Sequence, residues 1–280
     1  MSKQANSKFV VAKFGGTSVR DSLAIKNCAE IVKSLPEVKV VVVSATSQTT
    51  NHLEGVADCI RMNQKEDALA AYNKIVTRHR GICEGLSGDS LLRGFIDELD
   101  FEGSRIIEEA VELGKGVSPM IMDQLYSLGE RFSSSLFSFA LQSSLGESSR
   151  VKYLDAREFV KTDSSFGKAV PQMDKLNEKV GSLFASFLDE DLEDLRLVAV
   201  TQGFIGSDDQ GRTTTLGREG SDFSAALLAS SLDAESLTIW SDVEGVLTTD
   251  PRVYPDAKTI PELSYKDATK IAKLGAKVLF

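Results

Sequence analysis

Cysteine and histidine are scarce in this 280-residue chain, and their scarcity argues against several kinds of site. The three cysteines are odd in number and have no CxxC spacing, so a disulfide framework is not expected and a reducing cytosol fits. The two histidines, His52 and His79, are too few for a histidine-rich zinc site. The sequence therefore predicts no zinc centre and favours a cytoplasmic location.

Long apolar runs and clusters of positive charge are also missing. No apolar stretch reaches the ~18 residues that a membrane span needs, and the polar segment 1–7 has no apolar signal-peptide core. The net charge is −9 without a dense run of lysine and arginine, which disfavours a broad nucleic-acid surface. We expect no membrane and no nucleic-acid partner, although a few placed cations can still bind a small anion.

The apolar residues that are present alternate between two spacings. Apolar residues make up 42% of the chain, an ordinary share for a globular protein. Short apolar runs predict strands at 9–13, 38–43, 151–154, 197–200 and 237–240, and helical spacing dominates most of the segments between them. Strands that alternate with helices imply a mostly parallel sheet covered by helices. We predict one α/β domain over 1–280, with the mainly helical segment 51–144 as a lobe.

A lysine and two glycines follow the first predicted strand in the sequence KFGGTS at 13–18. Gly15 and Gly16 would let backbone N–H groups approach a ligand closely, and Lys13 adds a point charge. A helix that starts just beyond adds the positive end of its dipole. An ordinary strand-to-helix turn is the alternative interpretation. Neither a Walker A loop nor a GxGxxG fingerprint occurs in the sequence, so a P-loop NTPase or a Rossmann dehydrogenase loses its main support.

A second loop, GRTTTLGREGSD at 211–222, places Arg218, Ser221 and Asp222 around the start of a predicted helix. The planar guanidinium of arginine suits a carboxylate or a phosphate. A solvated hairpin followed by a serine N-cap is the alternative, and we expect Asp208 and Asp209 to lie in a solvated turn. Such loops open at the carboxyl ends of strands, where ligands of α/β proteins bind.

A third segment, WSDVEGVLTTDPR at 240–252, follows the last predicted strand directly. Ser241 and Asp242 lie at the end of that strand, where they can meet a nucleotide, and Arg252 can reach phosphates. Aspartate and glycine are also typical of a β-turn, which is the more common local interpretation. Taken alone, this segment therefore leaves nucleotide binding open.

Together these segments resemble the aspartokinases of the amino-acid kinase superfamily. KFGGTS looks like their opening signature, 198–222 like their substrate loop, 241–252 like their nucleotide loop, and 275–279 like the segment that closes the catalytic domain. The resemblance implies a three-layer α/β/α sandwich with a helical substrate-side lobe. It also implies transfer of the γ-phosphoryl group of ATP, with Mg²⁺, to the side-chain carboxylate of L-aspartate. The product would be 4-phospho-L-aspartate, for lysine, threonine and methionine synthesis, and the resemblance suggests a homodimer.

The resemblance also implies a role for individual residues. The residues expected to act on the transferring phosphate are Lys13, Gly15, Gly16 and Asp222. Those expected to bind aspartate are Ser44, Thr50, Glu130, Arg218 and Ser221, with Arg218 on the α-carboxylate and Glu130 on the α-ammonium. Those expected to hold the nucleotide are Lys13, Ser241, Asp242, Arg252 and Lys277. Mg²⁺ would be held chiefly by ATP phosphates and water, with no dedicated protein metal site.

Three positions depart from the family pattern, namely Glu219, Leu247 and Phe280. Relatives usually continue beyond this point into ACT-type regulatory domains, which are expected to be absent here. One alternative is another member of the superfamily that acts on glutamate, acetylglutamate, carbamate or a nucleoside monophosphate, but Glu130 with Arg218 favours an α-amino acid. The other is a nucleotide-binding regulatory subunit without turnover, against which Lys13, Arg218 and Asp242 count.

Overall fold

The computed structural model describes residues 9–114, 116–188, 195–217, 220–243, 245–250 and 253–273. Its strands are β1 (Val10–Phe14), β2 (Val38–Val43), β3 (Ser149–Leu154), β4 (Arg196–Gln202), β5 (Ile205–Ser207), β6 (Thr213–Thr215) and β7 (Ser236–Trp240). Five of them form a sheet in the order β3-β4-β2-β1-β7, in which all neighbours run parallel. The predicted parallel sheet is confirmed, and each of its strands begins and ends within two residues of its prediction.

Helices cover both faces of this sheet. The helices on the first face are α1 (Ser22–Ser34), α2 (Thr49–Arg61), α3 (Lys65–Gly85), α4 (Ser90–Glu112) and α5 (Pro119–Leu145). Those on the second face are α6 (Ala156–Phe159), α7 (Met173–Leu188) and α8 (Gly220–Ser231). A further helix, α9 (Tyr265–Lys273), follows β7. The three-layer α/β/α sandwich implied by the resemblance is confirmed, and the helical lobe shares one apolar core with the sheet.

Polar caps explain where several of these helices begin. The carboxylate of Asp21 accepts a hydrogen bond from the backbone N–H of Ala24 at 2.8 Å and so caps the start of α1. Asp89 caps α4 in the same way. Ser118 caps α5, which then starts at Pro119, where a missing N–H costs nothing. No helix in the described ranges is long and apolar enough to cross a membrane.

Strand β1 brings a charged residue to the edge of the core. Its side chains alternate between the two faces, with Ala12 and Phe14 in the first apolar core and Val11 in the second. Lys13 follows Val11 on the second face, near the end of the strand, and is paired in register with Val42 and Ile239. The pattern of β1 therefore turns a lysine towards the layer that contains α8.

Strands β5 and β6 form the hairpin expected around 208–211, but the solvated turn predicted there is wrong for Asp208. Asp209 is exposed, whereas Asp208 is buried and accepts hydrogen bonds from Arg212, Gln210 and Ser164. Burial works to raise the pKa of Asp208, but these hydrogen bonds outweigh it and lower the pKa to about 2. Asp208 therefore holds the tip of the hairpin together as a buried acceptor.

Candidate active site

A cavity of about 610 Å³ opens among the loops that follow the parallel strands. Its lining includes seven of the residues that the sequence selected, which are Lys13, Gly16, Ser44, Thr50, Glu130, Ser221 and Asp222. They come from β1, from the segment after β2, from α2, from α5 and from the first turn of α8. Residues separated by more than two hundred positions therefore meet in one space, at the edge of the sheet where α/β proteins bind ligands.

Lys13 is the buried cation of this cavity. Its side chain is 10% exposed, and its Nζ lies 2.5 Å from Oδ1 of Asp222 in the first turn of α8. An unpaired buried ammonium is costly, and this carboxylate supplies the missing partner. Because Lys13 and Asp222 both line the cavity, the ammonium also faces the space that an anionic ligand would enter.

The two glycines of the opening signature have different surroundings. The backbone N–H of Gly15 donates to the carbonyl of Trp240 at 3.2 Å, so this N–H is already paired at the end of the sheet. A Cβ on Gly16 would lie 2.6 Å from the carbonyl oxygen of Ala45, and the carbonyl of Gly16 accepts a hydrogen bond from Ser47. Gly16 therefore permits the close approach of two segments that line the cavity.

Glu130 places a buried carboxyl group in the lining of the cavity. Its side chain is 4% exposed, and its Oε2 has no hydrogen-bond partner among the described residues. Burial raises its pKa to about 8, against the opposing effects of a hydrogen bond from the backbone of Ala45 and the charge of Lys13. The next residue, Arg131, instead binds both carboxylate oxygens of Glu102 at 2.8 Å. Glu130 thus keeps an unused acceptor at the cavity wall.

The raised pKa of Glu130 predicts a pH-dependent stability for the ligand-free protein. Because the folded-state pKa is above the unfolded value, the protonated group stabilises the fold fully at low pH. That contribution is lost as the pH rises through about 8. We expect the thermal midpoint of the wild type to fall more steeply between about pH 5 and about pH 8 than that of Glu130→Gln. Parallel pH profiles of the two proteins in calorimetric melts would contradict this expectation.

The segment between β2 and α2 forms another wall of the cavity, and hydrogen bonds to α2 and α3 hold it in place. Gln48 has a left-handed backbone with a φ of 67°, which is uncommon for a residue other than glycine and is typical of functional sites. The hydroxyl of Thr46 lies 2.6 Å from that of Thr49 and 3.0 Å from Nε2 of His79. Nδ1 of His79 must donate to the carbonyl of Ile75, so Nε2 accepts. Burial lowers the pKa of His79 to about 4, which keeps this acceptor neutral.

Close packing at the end of β4 positions the start of α8. A Cβ on Gly203 would lie 2.6 Å from the Cα of Ser221, so only glycine allows this backbone approach. The next residue, Phe204, has a φ of 70° and lines the cavity, and its N–H donates to the hydroxyl of Ser224. A left-handed phenylalanine is a backbone outlier of the kind that clusters at active sites.

Gly203→Ala tests this close approach. We expect it to displace the start of α8, to lower the free energy of unfolding by about 1–3 kcal/mol, and to weaken ligand binding in the cavity. Gly94→Ala is the matched control, because a Cβ at this position, in the second turn of α4, meets nothing within 4 Å. It should stabilise the protein by about 0.5–1 kcal/mol. Denaturant unfolding curves measure both effects, and equal stability of the two variants would argue against the predicted clash.

Other predicted residues lie elsewhere. Ser241 and Asp242 follow β7 beside the end of β1, where both are exposed and neither is among the lining residues of the cavity. The hydroxyl of Ser241 donates to Asp242 at 3.2 Å. Predictions for five further positions lie outside the described residues, namely Arg218, Glu219, Arg252, Lys277 and Phe280. Gly217 and Gly220, which flank Arg218 and Glu219, both line the cavity.

Sequence reasoning did not select several of the residues that line the cavity, among them Thr46, Tyr126, Gly167, Phe204 and Thr215. Two of them, Phe204 and Thr215, lie within the segment 198–222 that resembles the substrate loop of the family, although neither residue was selected individually. Tyr126 could have been found from helical spacing, because it precedes Glu130 by four residues on the same face of α5. Its hydroxyl donates to Glu54, which also pairs with Arg61.

Within the described part of the chain, no group of three or more histidine, cysteine, aspartate or glutamate side chains could hold a metal ion. The cavity offers an ammonium, a carboxylate paired with it, a second carboxylate with an unused oxygen, and several hydroxyl groups. Such a set can bind a ligand that carries both anionic groups and an ammonium. Magnesium fits this set only if phosphates and water supply most of its ligands.

Comparison with known proteins agrees with this geometry. The chain is 40% identical over 273 residues to lysine-sensitive aspartokinase 3 of Escherichia coli, covering 98% of this chain and 58% of that protein. It is 35% identical to an aspartokinase of Chlamydia trachomatis, covering 96% of this chain and 57% of the relative. The chain thus spans a little over half the length of these two relatives.

Solved structures show the same likeness. The crystal structure of Escherichia coli aspartokinase III in complex with aspartate and ADP superposes with a TM-score of 0.85 at 39% identity, covering 97% of this chain and 57% of that one. The aspartate kinase of Clostridium acetobutylicum superposes with a TM-score of 0.74 at 25% identity, covering 96% and 56% of the two chains. The predicted resemblance to aspartokinases is thereby confirmed. Residues 8–280 match the amino acid kinase family, to which this chain therefore belongs.

Proposed function

We propose that this chain transfers the γ-phosphoryl group of ATP to the side-chain carboxylate of L-aspartate, which yields 4-phospho-L-aspartate and ADP. The single observation that carries the proposal is the placement of Lys13 and Glu130 in one cavity, with Oε2 of Glu130 buried and without a hydrogen-bond partner among the described residues. A buried acceptor of this kind suits the α-ammonium of an amino acid. The similar Escherichia coli enzyme was crystallised with aspartate and ADP, which supports the same pair of ligands here.

The reaction needs little acid–base chemistry from the protein. The carboxylate of aspartate is already ionised at neutral pH, so no general base is required. One of its oxygens attacks the γ-phosphorus, the bond from that phosphorus to the β–γ bridging oxygen breaks, and ADP leaves with the electron pair. Because two anions must approach, positioning and positive charge supply most of the catalysis. Lys13 would neutralise the phosphate, and Glu130 would orient the acceptor through its ammonium.

The same proposal includes the metal ion and the remaining ligand contacts. Mg²⁺ would arrive with ATP and supply charge neutralisation between the phosphate oxygens. Arg218 would bind the α-carboxylate of aspartate, and Ser241, Asp242, Arg252 and Lys277 would hold the nucleotide. The resemblance to aspartokinases implies that the product would enter lysine, threonine and methionine synthesis and that the protein would form a homodimer. A cytoplasmic location is proposed from the scarcity of cysteine.

Trapping of the acyl phosphate tests the proposal most directly. We expect hydroxylamine to convert the product of ATP, Mg²⁺ and L-aspartate into aspartyl hydroxamate, with stoichiometric release of ADP. Parallel assays with L-glutamate, acetylglutamate, carbamate and a nucleoside monophosphate test the other acceptors of the superfamily. Faster ADP release with one of these acceptors than with L-aspartate would show that this acceptor, and not aspartate, is the substrate. Calorimetric binding of ATP and L-aspartate without ADP release would instead favour a regulatory subunit.

A further inference from the structure

A buried carboxylate, which was not among the predicted site residues, connects two walls of the cavity. Asp123 lies in α5 with no exposed surface and accepts hydrogen bonds at both oxygens. The backbone N–H of Gly167 lies 3.1 and 2.9 Å from its two oxygens, that of Thr215 lies 3.0 Å from Oδ2, and the Thr215 hydroxyl lies 2.6 Å from Oδ1. Asp123 is not itself among the lining residues, although both of its partners are.

The two partners come from separate parts of the chain. Gly167 belongs to the segment between α6 and α7 and has a φ of 83°, and Thr215 ends strand β6. The same two segments also touch each other, because the N–H of Ala169 donates to the carbonyl of Thr215 at 2.8 Å. Asp123 therefore attaches one composite wall, formed by Gly167 and Thr215, to helix α5.

Helix α5 also carries Glu130, the group proposed to bind the α-ammonium of the acceptor. Tyr126 and Glu130 lie three and seven residues beyond Asp123, which places all three on one side of the helix. Seven residues of helix span about 10 Å. The distance between the carboxylate of Glu130 and the wall held by Asp123 is thus set by a single regular element and not by flexible loops.

We propose that Asp123 is a positioning residue that sets the length of the acceptor. By holding the wall of Gly167 and Thr215 at a fixed distance from Glu130, it favours L-aspartate over L-glutamate, which is longer by one methylene. The inference rests on the proposed function, since it concerns the acceptor pocket of the same reaction. A pocket that discriminates by one methylene typically achieves about 10- to 200-fold selectivity.

Two substitutions of Asp123 test whether its hydrogen bonds to the wall are needed for selectivity. Asp123→Ala removes every hydrogen bond to the wall. Asp123→Asn keeps one carbonyl oxygen for the backbone N–H groups, while the Thr215 hydroxyl can accept from the new amide. We expect the asparagine variant to retain most of the selectivity that the alanine variant loses.

Asp208 offers a matched control on the same two segments. It is also buried, and it joins Ser164 to the tip of the hairpin formed by β5 and β6, but it does not line the cavity. Asp208→Ala should destabilise the same region to a comparable degree without moving the wall relative to Glu130. The thermal midpoints of all variants measure the loss of stability that both alanine substitutions are expected to cause.

The experiment compares L-aspartate with L-glutamate by ADP release and by calorimetric binding. In Asp123→Ala we expect the ratio of kcat/KM for the two acids to fall about 10-fold or more, chiefly through a higher KM for aspartate. The ratio should be unchanged in Asp208→Ala. A ratio within about twofold of wild type in Asp123→Ala, or an equal fall in Asp208→Ala, overturns the inference. Binding without turnover in the wild type contradicts the proposed function alone, because the binding ratios still decide the role of Asp123. A wild type that binds neither acid overturns both.

Discussion

Lys13→Ala is expected to lower kcat by a factor of roughly 10² or more, as the loss of a preorganised transition-state donor usually does. The ammonium is buried, lies near the end of strand β1 and faces the cavity, so no mobile surface cation can replace it. Charge that develops on the transferring phosphoryl group would then have no fixed counter-charge at this point. Steady-state ADP release at saturating ATP and L-aspartate measures the effect.

The ion pair with Asp222 makes a second variant informative. Removal of Lys13 leaves the carboxylate of Asp222 beside an anionic ligand, so part of the loss could come from repulsion. The double variant Lys13→Ala with Asp222→Asn removes that repulsion and should remain severely impaired. Recovery to near wild-type kcat would show that Lys13 acts only as the partner of Asp222. Lys26→Ala is the control, because this exposed lysine contacts the carbonyl of Gly85 away from the cavity.

Glu130→Gln is expected to raise the KM for L-aspartate by about 30-fold or more, with a smaller effect on the KM for ATP. Loss of one member of a buried, hydrogen-bonded charge pair costs about 2–5 kcal/mol of binding, and each 1.4 kcal/mol is about tenfold in affinity. Glutamine has nearly the same shape, so the change isolates the charge. Initial rates at varied concentrations of each substrate separate the two KM values.

Proton release gives an independent test of the same group. With a pKa of about 8 in the free protein, Glu130 is mostly protonated near neutral pH and must ionise to pair with an ammonium. Binding of L-aspartate should therefore release protons, which calorimetry detects as a dependence of the observed heat on the ionisation enthalpy of the buffer. Glu130→Gln should abolish that dependence, whereas Glu112→Gln, on an exposed part of α4, should preserve it. A buffer-independent heat in the wild type would contradict the pairing of Glu130 with the ammonium.

Local patterns in the sequence were enough to determine the elements and several site residues. A run of valines predicts β2 because a strand buried on both faces has no polar side to display. Asp21 predicts the start of α1 because its carboxylate can satisfy a free backbone N–H. Lys13 was predicted because it adds a point charge beside two glycines at the end of a predicted strand, and the resemblance to aspartokinases placed Glu130 in the same site.

Other features required the tertiary structure, because they depend on contacts between distant parts of the chain. Asp208 looked like a residue of a solvated turn, yet its burial depends on Ser164, 44 positions away. Asp123 has no local pattern that marks it, since its partners lie 44 and 92 positions further along the chain. The sequence by itself thus determined the strands, the helices and the chemical types of the predicted site residues. Only the packing of the chain decided which of those groups share a cavity and at what distance they face each other, since distances between remote residues arise only when the layers come together.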